Sequence, residues 1–357
     1  MGAPVTIKEV AARAEVSVGT VSNVLNRPDQ VAAPTRARVE AAIAELGFVR
    51  NESARQLRAG HSRTVGLVVL DVANPFFTDV ARGAEDALND AGLAVLLCNS
   101  DEQDGREARY LELLEQQRVQ GILITPVHAA DQRLAAIRRR GTPVVLVDRL
   151  SRSRGQCSVA VDDVLGGDLA ASHLFDGGHD RIAYVGGPFT IRQVQDRYDG
   201  ALRAMAQRDR DPADLHVVET PTLNIASGQR AGELLAELPA RRRPTAAFCA
   251  NDMLALGLLQ ALTRRRVAVP ADMAIVGYDD IDFAAAATVP LSSVRQPRQQ
   301  LGQTAAELLL EEALQGGRHK HRQVVFDPEL VVRDSSGARR RAGRSRPAAV
   351  PAQTAER

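Results

Sequence analysis

Hydrophobic and polar residues change rhythm near residue 64. Before it, apolar side chains recur at helical spacing with no strand pattern. Ile7, Val10, Ala11 and Ala14 stand at i, i+3, i+4 and i+7, which predicts a helix with one apolar face. Thr6 and Glu9 have capping-box spacing at its start. The stripe stops at Glu15-Val16-Ser17. Ser17 is placed to cap a second helix carrying Val21, Val24 and Leu25 inward, and Asn26-Arg27-Pro28 breaks it. A third helix is predicted from about Thr35, with Val39, Ala42, Ile43 and Leu46 on one stripe and Gly47 as its stop. Two short helices joined by a tight turn and braced by a third make a helix-turn-helix unit. The second helix presents Val18, Gly19, Thr20, Ser22 and Asn23, mostly small and polar, able to approach a major groove closely. The same spacing fits a small helical bundle with no nucleic-acid role.

Residues 51–60, NESARQLRAG, form a short helix candidate with Arg55 and Arg58 beside Leu57. A helix of that length is not stable alone in water, so the segment reads as a linker that folds on binding. Leu57 then wedges into a minor groove with the arginines on phosphates. The other reading is an ordinary linker with an incidental leucine.

From Val65 the rhythm becomes alternating. The runs VGLVVL, AVLLC, GILIT and VVLVD alternate with helical stretches beginning near Phe77, Asp104 and Ala130. IAYVGG, HVVE, AAFCA and AIVGYD continue the series, and Val159–Asp163 reads as a crossing between halves. Continuous Val/Ile/Leu strands with intervening helices predict parallel sheets covered on both faces. The fold class is therefore α/β, with two doubly wound parallel-sheet lobes after an all-α head, and ligand at the carboxyl ends of the strands. The tail from about Ser335, rich in Arg, Pro and Ala, reads as disordered. It has no heptad pattern, so a C-terminal coiled coil is not expected.

Composition narrows the function classes. The net charge of +1, from 45 basic and 44 acidic residues, neither demands nor excludes DNA, so a DNA partner must meet a local patch. Lysine occurs only at Lys8 and Lys320, and arginine carries nearly all the positive charge. Cys98, Cys157 and Cys249 lie far apart with no CxxC pair, which argues against a disulfide scaffold or zinc ribbon and fits a reducing cytoplasm. No apolar run nears the ~20 residues that cross a bilayer, and MGAPVTIKEV lacks a signal pattern. No membrane partner is expected. Phosphate-loop, GxGxxG and GxSxG motifs are absent. His319-Lys320-His321 reads as a surface cluster without a carboxylate or cysteine nearby, so no metal is expected. Asp162-Asp163 and Asp279-Asp280 read as hydrogen-bond acceptors rather than a catalytic pair. The chain is not read as an enzyme, and no cofactor is expected.

VTIKEVAARAEVSVGTVSNVLN followed by VAAPTRARVEAAIAELGFVRNESARQLRAG resembles the head of the lactose-repressor (LacI/GalR) family of transcription factors. VGLVVLDVANPFF, RVQGILITP, PVVLVDR, DRYDGA, AAFCANDMLALG, VPADMAIVGYDD and LSSVRQP resemble that family's effector domain, of periplasmic-binding-protein type I. The resemblance runs from about Val5 to Arg333. It implies a head over 1–50, a hinge helix and linker over 51–63, a two-lobed effector and dimerisation domain over 64–334, and a tail over 335–357. Lobe 1 would hold about 64–162 and 294–323, lobe 2 about 163–293 and 324–334. It further implies a cytoplasmic homodimer, nucleoid-associated when bound, that reads a palindromic double-stranded operator. The implied DNA contacts are Thr6, Val18, Gly19, Thr20, Ser22, Asn23, Arg27, Ser53, Arg55, Leu57 and Arg58, with Asn23 as the polar base reader and Thr20 and Ser22 on phosphates.

The effector domain is also similar to ribose-type periplasmic sugar-binding proteins. That similarity implies a small sugar, a pentose or related monosaccharide, held by Asn74, Phe76, Phe77, Asp148, Arg149, Arg197, Asn251, Asp279 and Gln296. The chemistry is coherent: carboxylates and amides pair with adjacent hydroxyls, arginines donate in planar forks, and phenylalanines cover an apolar sugar face. Taken singly, Asn74, Asn251 and Asp279 are equally well turn formers or helix caps. An aromatic that often caps the other sugar face corresponds to Leu223. Purine-responsive relatives carry polar base-contacting side chains where Ile191 and Gln193 stand, which favours the sugar. A sugar-binding module or α/β enzyme without a DNA role is the rival class.

Overall fold

The computed structural model describes residues 5–48, 62–128 and 132–337. Contacts divide the chain into two units, 1–62 and 63–357. The first unit carries α1 (Ile7–Arg13), α2 (Val18–Asn26) and α3 (Ala33–Leu46). The capping box forms: the Thr6 amide donates to Glu9 Oε2 at 2.7 Å, and the Glu9 amide to Thr6 Oγ1 at 3.4 Å. Ser17 Oγ accepts the Thr20 amide at 3.0 Å and starts α2. Val10, Ala11, Ala14, Val21, Val24, Val39 and Ala42 form the core, and Leu25, Ile43 and Leu46 pack against it. α3 starts at Ala33 rather than Thr35, because Pro34 fits the first turn, where its missing N–H removes no helical bond. Gly47 closes α3 at φ 63°, a left-handed value that favours glycine.

The second unit holds two six-stranded sheets. The first contains β1 (Thr64–Val69), β2 (Ala94–Asn99), β3 (Ile122–Ile124), β4 (Val144–Val147), β5 (Ser158–Val161) and β11 (Gln323–Phe326), ordered β11-β5-β4-β3-β1-β2 and parallel throughout. The second contains β6 (Ile182–Gly186), β7 (His216–Glu219), β8 (Ala246–Cys249), β9 (Ala274–Asp279), β10 (Ser292–Arg295) and β12 (Glu329–Val331), ordered β12-β10-β9-β8-β6-β7. Here only β12 runs antiparallel, against β10. Around the first sheet lie α4 (Pro75–Asp90), α5 (Asp104–Gln116), α6 (Gln132–Arg139) and α12 (Arg298–Gln315); around the second lie α7 (Asp163–Asp176), α8 (Arg192–Ala206), α9 (Ile225–Glu237), α10 (Asp252–Arg264) and the short α11 (Asp282–Ala285). The inner strands are apolar and buried because helices cover both faces. α4 and α12 cross so closely that a Cβ on Gly83 would stand 1.9 Å from the Gln299 carbonyl oxygen.

Three expectations change. Val159–Asp163, read as a crossing, holds the end of strand β5 (Ser158–Val161) and the first residue of α7. The lobe boundaries near 294 and 324 cut through β10 and β11: Val294 and Arg295 belong to the second sheet, and Val324–Phe326 to the first. Strands this short leave no periodicity to read. Ser335 and Ser336, assigned to the disordered tail, are buried. Ser335 Oγ accepts the Ser292 amide at 2.8 Å and donates to the Ile275 carbonyl at 2.7 Å, so small hydroxyls satisfy the sheet's last backbone groups. Residues 338–357 lie outside the described part.

Candidate functional site

The strand ends of both sheets open on one cavity with about 420 Å³ of atom-free space, counting its open mouth. Lobe 1 supplies Leu70, Asp71, Asn74, Phe76, Phe77, Glu102 and Asp148; lobe 2 supplies Ile191, Gln193, Arg197, Leu223, Asn251 and Asp279. Asp148 and Asp279 end β4 and β9 with φ of 53° and 102°, left-handed values that a non-glycine side chain adopts only when its surroundings hold it there.

The polar groups hold one another across the lobes. Asn74 Nδ2 donates to Asp279 Oδ2 at 3.0 Å, and Gln193 Nε2 to Asp148 Oδ2 at 2.9 Å. Gln296 Nε2 donates to Asp279 Oδ1 at 2.8 Å from behind. Arg197 is the central cation. Its Nε donates to Asp163 Oδ1 at 2.8 Å, its Nη1 to the Ala250 carbonyl at 2.7 Å, and its guanidinium lies 3.7 Å from the centre of the Tyr278 ring. Burial works against its charge, but Asp163, Tyr278, Asp279 and Asp148 together hold it protonated.

Burial, aided by the Asp163 charge, pushes the Asp148 carboxyl up to about 8, against the opposing pull of Arg197. Burial raises Asp279 as well, partly offset by Arg197 and the amides of Asn74 and Gln296. Glu102 is pushed up to about 7 by burial, while a backbone bond from Leu223 pulls the other way. Oδ1 of Asp148, Oε2 of Glu102 and Oε1 of Gln193 are buried without a protein hydrogen-bond partner. Their residues line the cavity, so a ligand that both donates and accepts hydrogen bonds can satisfy them. Phe76 and Phe77, edge to face with centroids 5.0 Å apart, make the apolar wall.

On the head, Val18, Gly19 and Asn23 are exposed on α2. The Thr20 hydroxyl lies 2.9 Å from Ser17 Oγ, and Ser22 Oγ accepts from Asn26 Nδ2 at 3.3 Å, so both are partly committed to their own helix. Thr6 is engaged in the capping box, and Arg27 is exposed at the end of α2. Ser53, Arg55, Leu57 and Arg58 lie outside the described residues.

Two family models match. Residues 6–51 match that of bacterial regulatory proteins, lacI family, and residues 171–336 that of a periplasmic binding protein-like domain. The ribose operon repressor of Bacillus subtilis is 39% identical over 306 residues, covering 85% of this chain and 90% of the relative. The chain belongs to the lacI family of bacterial regulatory proteins. The transcriptional repressor PurR of Photobacterium profundum is 32% identical over 332 residues, covering 92% of this chain and 98% of that one. Among solved structures, the lac repressor dimer bound to operator and the anti-inducer ONPF matches with a TM-score of 0.78 at 27% identity, over 94% of this chain and 100% of that one. A LacI family regulator from Enterococcus faecium with bound ribose matches with a TM-score of 0.70 at 29% identity, over 77% and 99%. As a lacI-family member, the chain is a DNA-binding transcriptional repressor rather than an enzyme.

Within this lacI-family body, Asn74, Phe76, Phe77, Asp148, Arg197, Asn251 and Asp279 line the one cavity, as does Leu223. Two residues of the sequence-derived set do not. Arg149 lines a neighbouring, larger cavity with Leu150, Asp162 and Arg192, and Asp148 borders both cavities. Gln296 stands behind Asp279 and orients it. Asn74 and Asn251 serve two purposes: each caps a helix through Oδ1, accepting from Phe76 and Leu254 respectively. Asp71 and Glu102 were missed. For Glu102 the polar run Ser100-Asp101-Glu102 directly after β2 was the available signal, since ligands gather at the carboxyl ends of parallel strands.

Proposed function

We propose that this repressor takes a monosaccharide, ribose or a related pentose, in the interlobe cavity, and that occupancy sets its affinity for a palindromic operator. The observation that carries this reading is the convergence of Asn74, Asp148, Arg197, Asn251 and Asp279 from both lobes on a cavity walled by Phe76 and Phe77. Adjacent hydroxyls both donate and accept, which matches carboxylates, amides and a guanidinium on one rim. A site that pairs each hydroxyl rejects analogues that leave a buried group unpaired. The ribose in the Enterococcus faecium structure and the name of the Bacillus subtilis relative support the same sugar class.

The coupling follows from the lobe contacts. The lobes are joined through Asn74 to Asp279 and Gln193 to Asp148. A sugar that replaces these bonds changes the angle between lobes, and it acts only through its differential affinity for the two arrangements. The change passes to the head through residues 51–63, with Leu57, Arg55 and Arg58 engaging DNA when the operator is held. Inducer is the sign proposed. The working unit is a homodimer, supported by exposed Leu96 and Leu97 on edge strand β2 and by Leu113 on α5. Among the described residues no helix is long and apolar enough to cross a membrane. We place the protein in the cytoplasm, where a repressor meets the chromosome.

The test is a thermal-shift and calorimetric panel of pentoses, hexoses and purines on the full chain. A cognate pentose raises the melting temperature by mass action. Stabilisation by a purine base alone would transfer the site to a nucleobase, a reading that the unpartnered Gln193 Oε1 also accommodates.

A further inference from the structure

The first sheet carries a donor cluster away from the cleft. β5 and β11 pair with Ser158 opposite Gln323, so Cys157 and Arg322 are neighbours just before their strands. The Ser158 amide donates to the Arg322 carbonyl at 3.0 Å, and the Arg322 amide to Cys157 Sγ at 3.4 Å. α12 ends at Gln315, and a short turn over Gly316–Arg318 reverses the chain into an extended run. His319 and His321, two residues apart in that run, project to one side. Glu312 reaches the same point from the last turn of α12.

His319 Nε2 lies 3.1 Å from Cys157 Sγ, His321 Nδ1 lies 3.6 Å from it, and His321 Nδ1 lies 3.7 Å from Glu312 Oε2. One donor atom from each of the four residues falls within 4.8 Å of all the others. Tetrahedral zinc, with bonds of about 2.3 Å to sulfur and about 2.0 Å to nitrogen, sets such donors about 3.5 Å apart. Glu312 Oε2 is buried without a hydrogen-bond partner, an acceptor aimed into the cluster. Cys157 is fully buried and makes no disulfide.

We propose that Cys157, Glu312, His319 and His321 form a structural site for a zinc-class dication that staples the start of β5, the end of α12 and the lead into β11. A thiolate and a carboxylate balance a dication, and two neutral imidazoles complete a closed set of four protein ligands, the pattern of a structural rather than a catalytic site. Binding displaces the thiol proton of Cys157 to solvent, so uptake releases protons. The Arg322 amide on Sγ supplies the outer hydrogen bond that thiolate ligands use.

The test uses full-length chain without an affinity tag, stripped with chelator and titrated with zinc and then with cobalt. The expected result is one metal per chain, tetrahedral cobalt bands in the visible and a thiolate charge-transfer band in the near ultraviolet. Cys157→Ser removes the charge-transfer band. His319→Gln/His321→Gln, changed at partly exposed positions, weakens zinc binding roughly a hundredfold or more and abolishes the zinc-dependent rise in melting temperature. If Cys157→Ser does not fold, the histidine variant decides. Zinc uptake equal in wild type and the histidine variant, no uptake at all, or an octahedral cobalt spectrum without a thiolate band overturns the proposal.

Discussion

The two lobes share one strand order and differ at both edges. On one flank the first sheet ends on β2, which exposes Leu96 and Leu97, whereas the second ends on β7, where exposed Val217 stands beside exposed His216. On the other flank β11 runs parallel to β5 and leads in from the Cys157–His319–His321 cluster. Its counterpart β12 runs antiparallel to β10, beside which Ser335 and Ser336 are buried. A sheet edge must be covered, charged or paired. Lobe 1 leaves an apolar edge suited to a second copy and gathers metal-ligand chemistry at the opposite one. Lobe 2 carries polar groups on one edge and a hydroxyl-pinned strap on the other. The cleft divides in the same way: lobe 1 gives the phenylalanine wall, and lobe 2 gives the cation.

The largest effect tests that cation. Arg197→Ala leaves Asp163 and Asp279 without their buried partner, and the expected loss is about 3–5 kcal/mol of stability in urea denaturation. Unchanged stability would show that lobe 2 does not depend on it. The edge contrast comes next. Leu97→Asp converts the dimer to monomer in sedimentation and weakens operator binding, and Val217→Asp changes neither. Equal effects from both would erase the distinction between the edges.

Asp148→Asn sharpens the comparison through pH. Its folded carboxyl, pushed up to about 8, holds its proton more tightly than in the unfolded chain. Stability from this group is therefore full below the ordinary carboxylate range and falls as pH rises toward 8. The variant lacks that fall, so its melting temperature gains on wild type between pH 5 and 8 while ribose binding weakens. Parallel melting curves across that range would contradict the assignment. Ser335→Ala, the smallest change, orphans the buried Ser292 amide and costs about 1–3 kcal/mol. A truncation after Gly337 leaves that strap intact and provides its control.

The head and the long strands were legible because local chemistry governs them. Thr6 and Glu9 make their cap within one turn, and VGLVVL or AIVGYD is buried on both faces wherever its neighbours lie. β5, β10, β11 and β12 were not, since three or four residues such as Ser292–Arg295 carry no usable period. Residues that end strands, among them Asn74, Asp148, Asn251 and Asp279, were legible as a rim because parallel topology sends strand ends to one side. Gln296 and Arg149 fell outside it because a motif gives a residue's place along the chain but not the direction of its side chain. Cys157 and His319, 162 positions apart, meet only through the β5–β11 pairing.

On the proposed function, the occupant of the cavity sets operator affinity. The most direct test is fluorescence anisotropy of full-length protein on DNA from its own upstream region, titrated with and without ribose, beside Asp148→Asn. Operator release by the sugar is expected in wild type and none in the variant. Identical operator binding with every sugar and purine, or equal release from the variant, would contradict it.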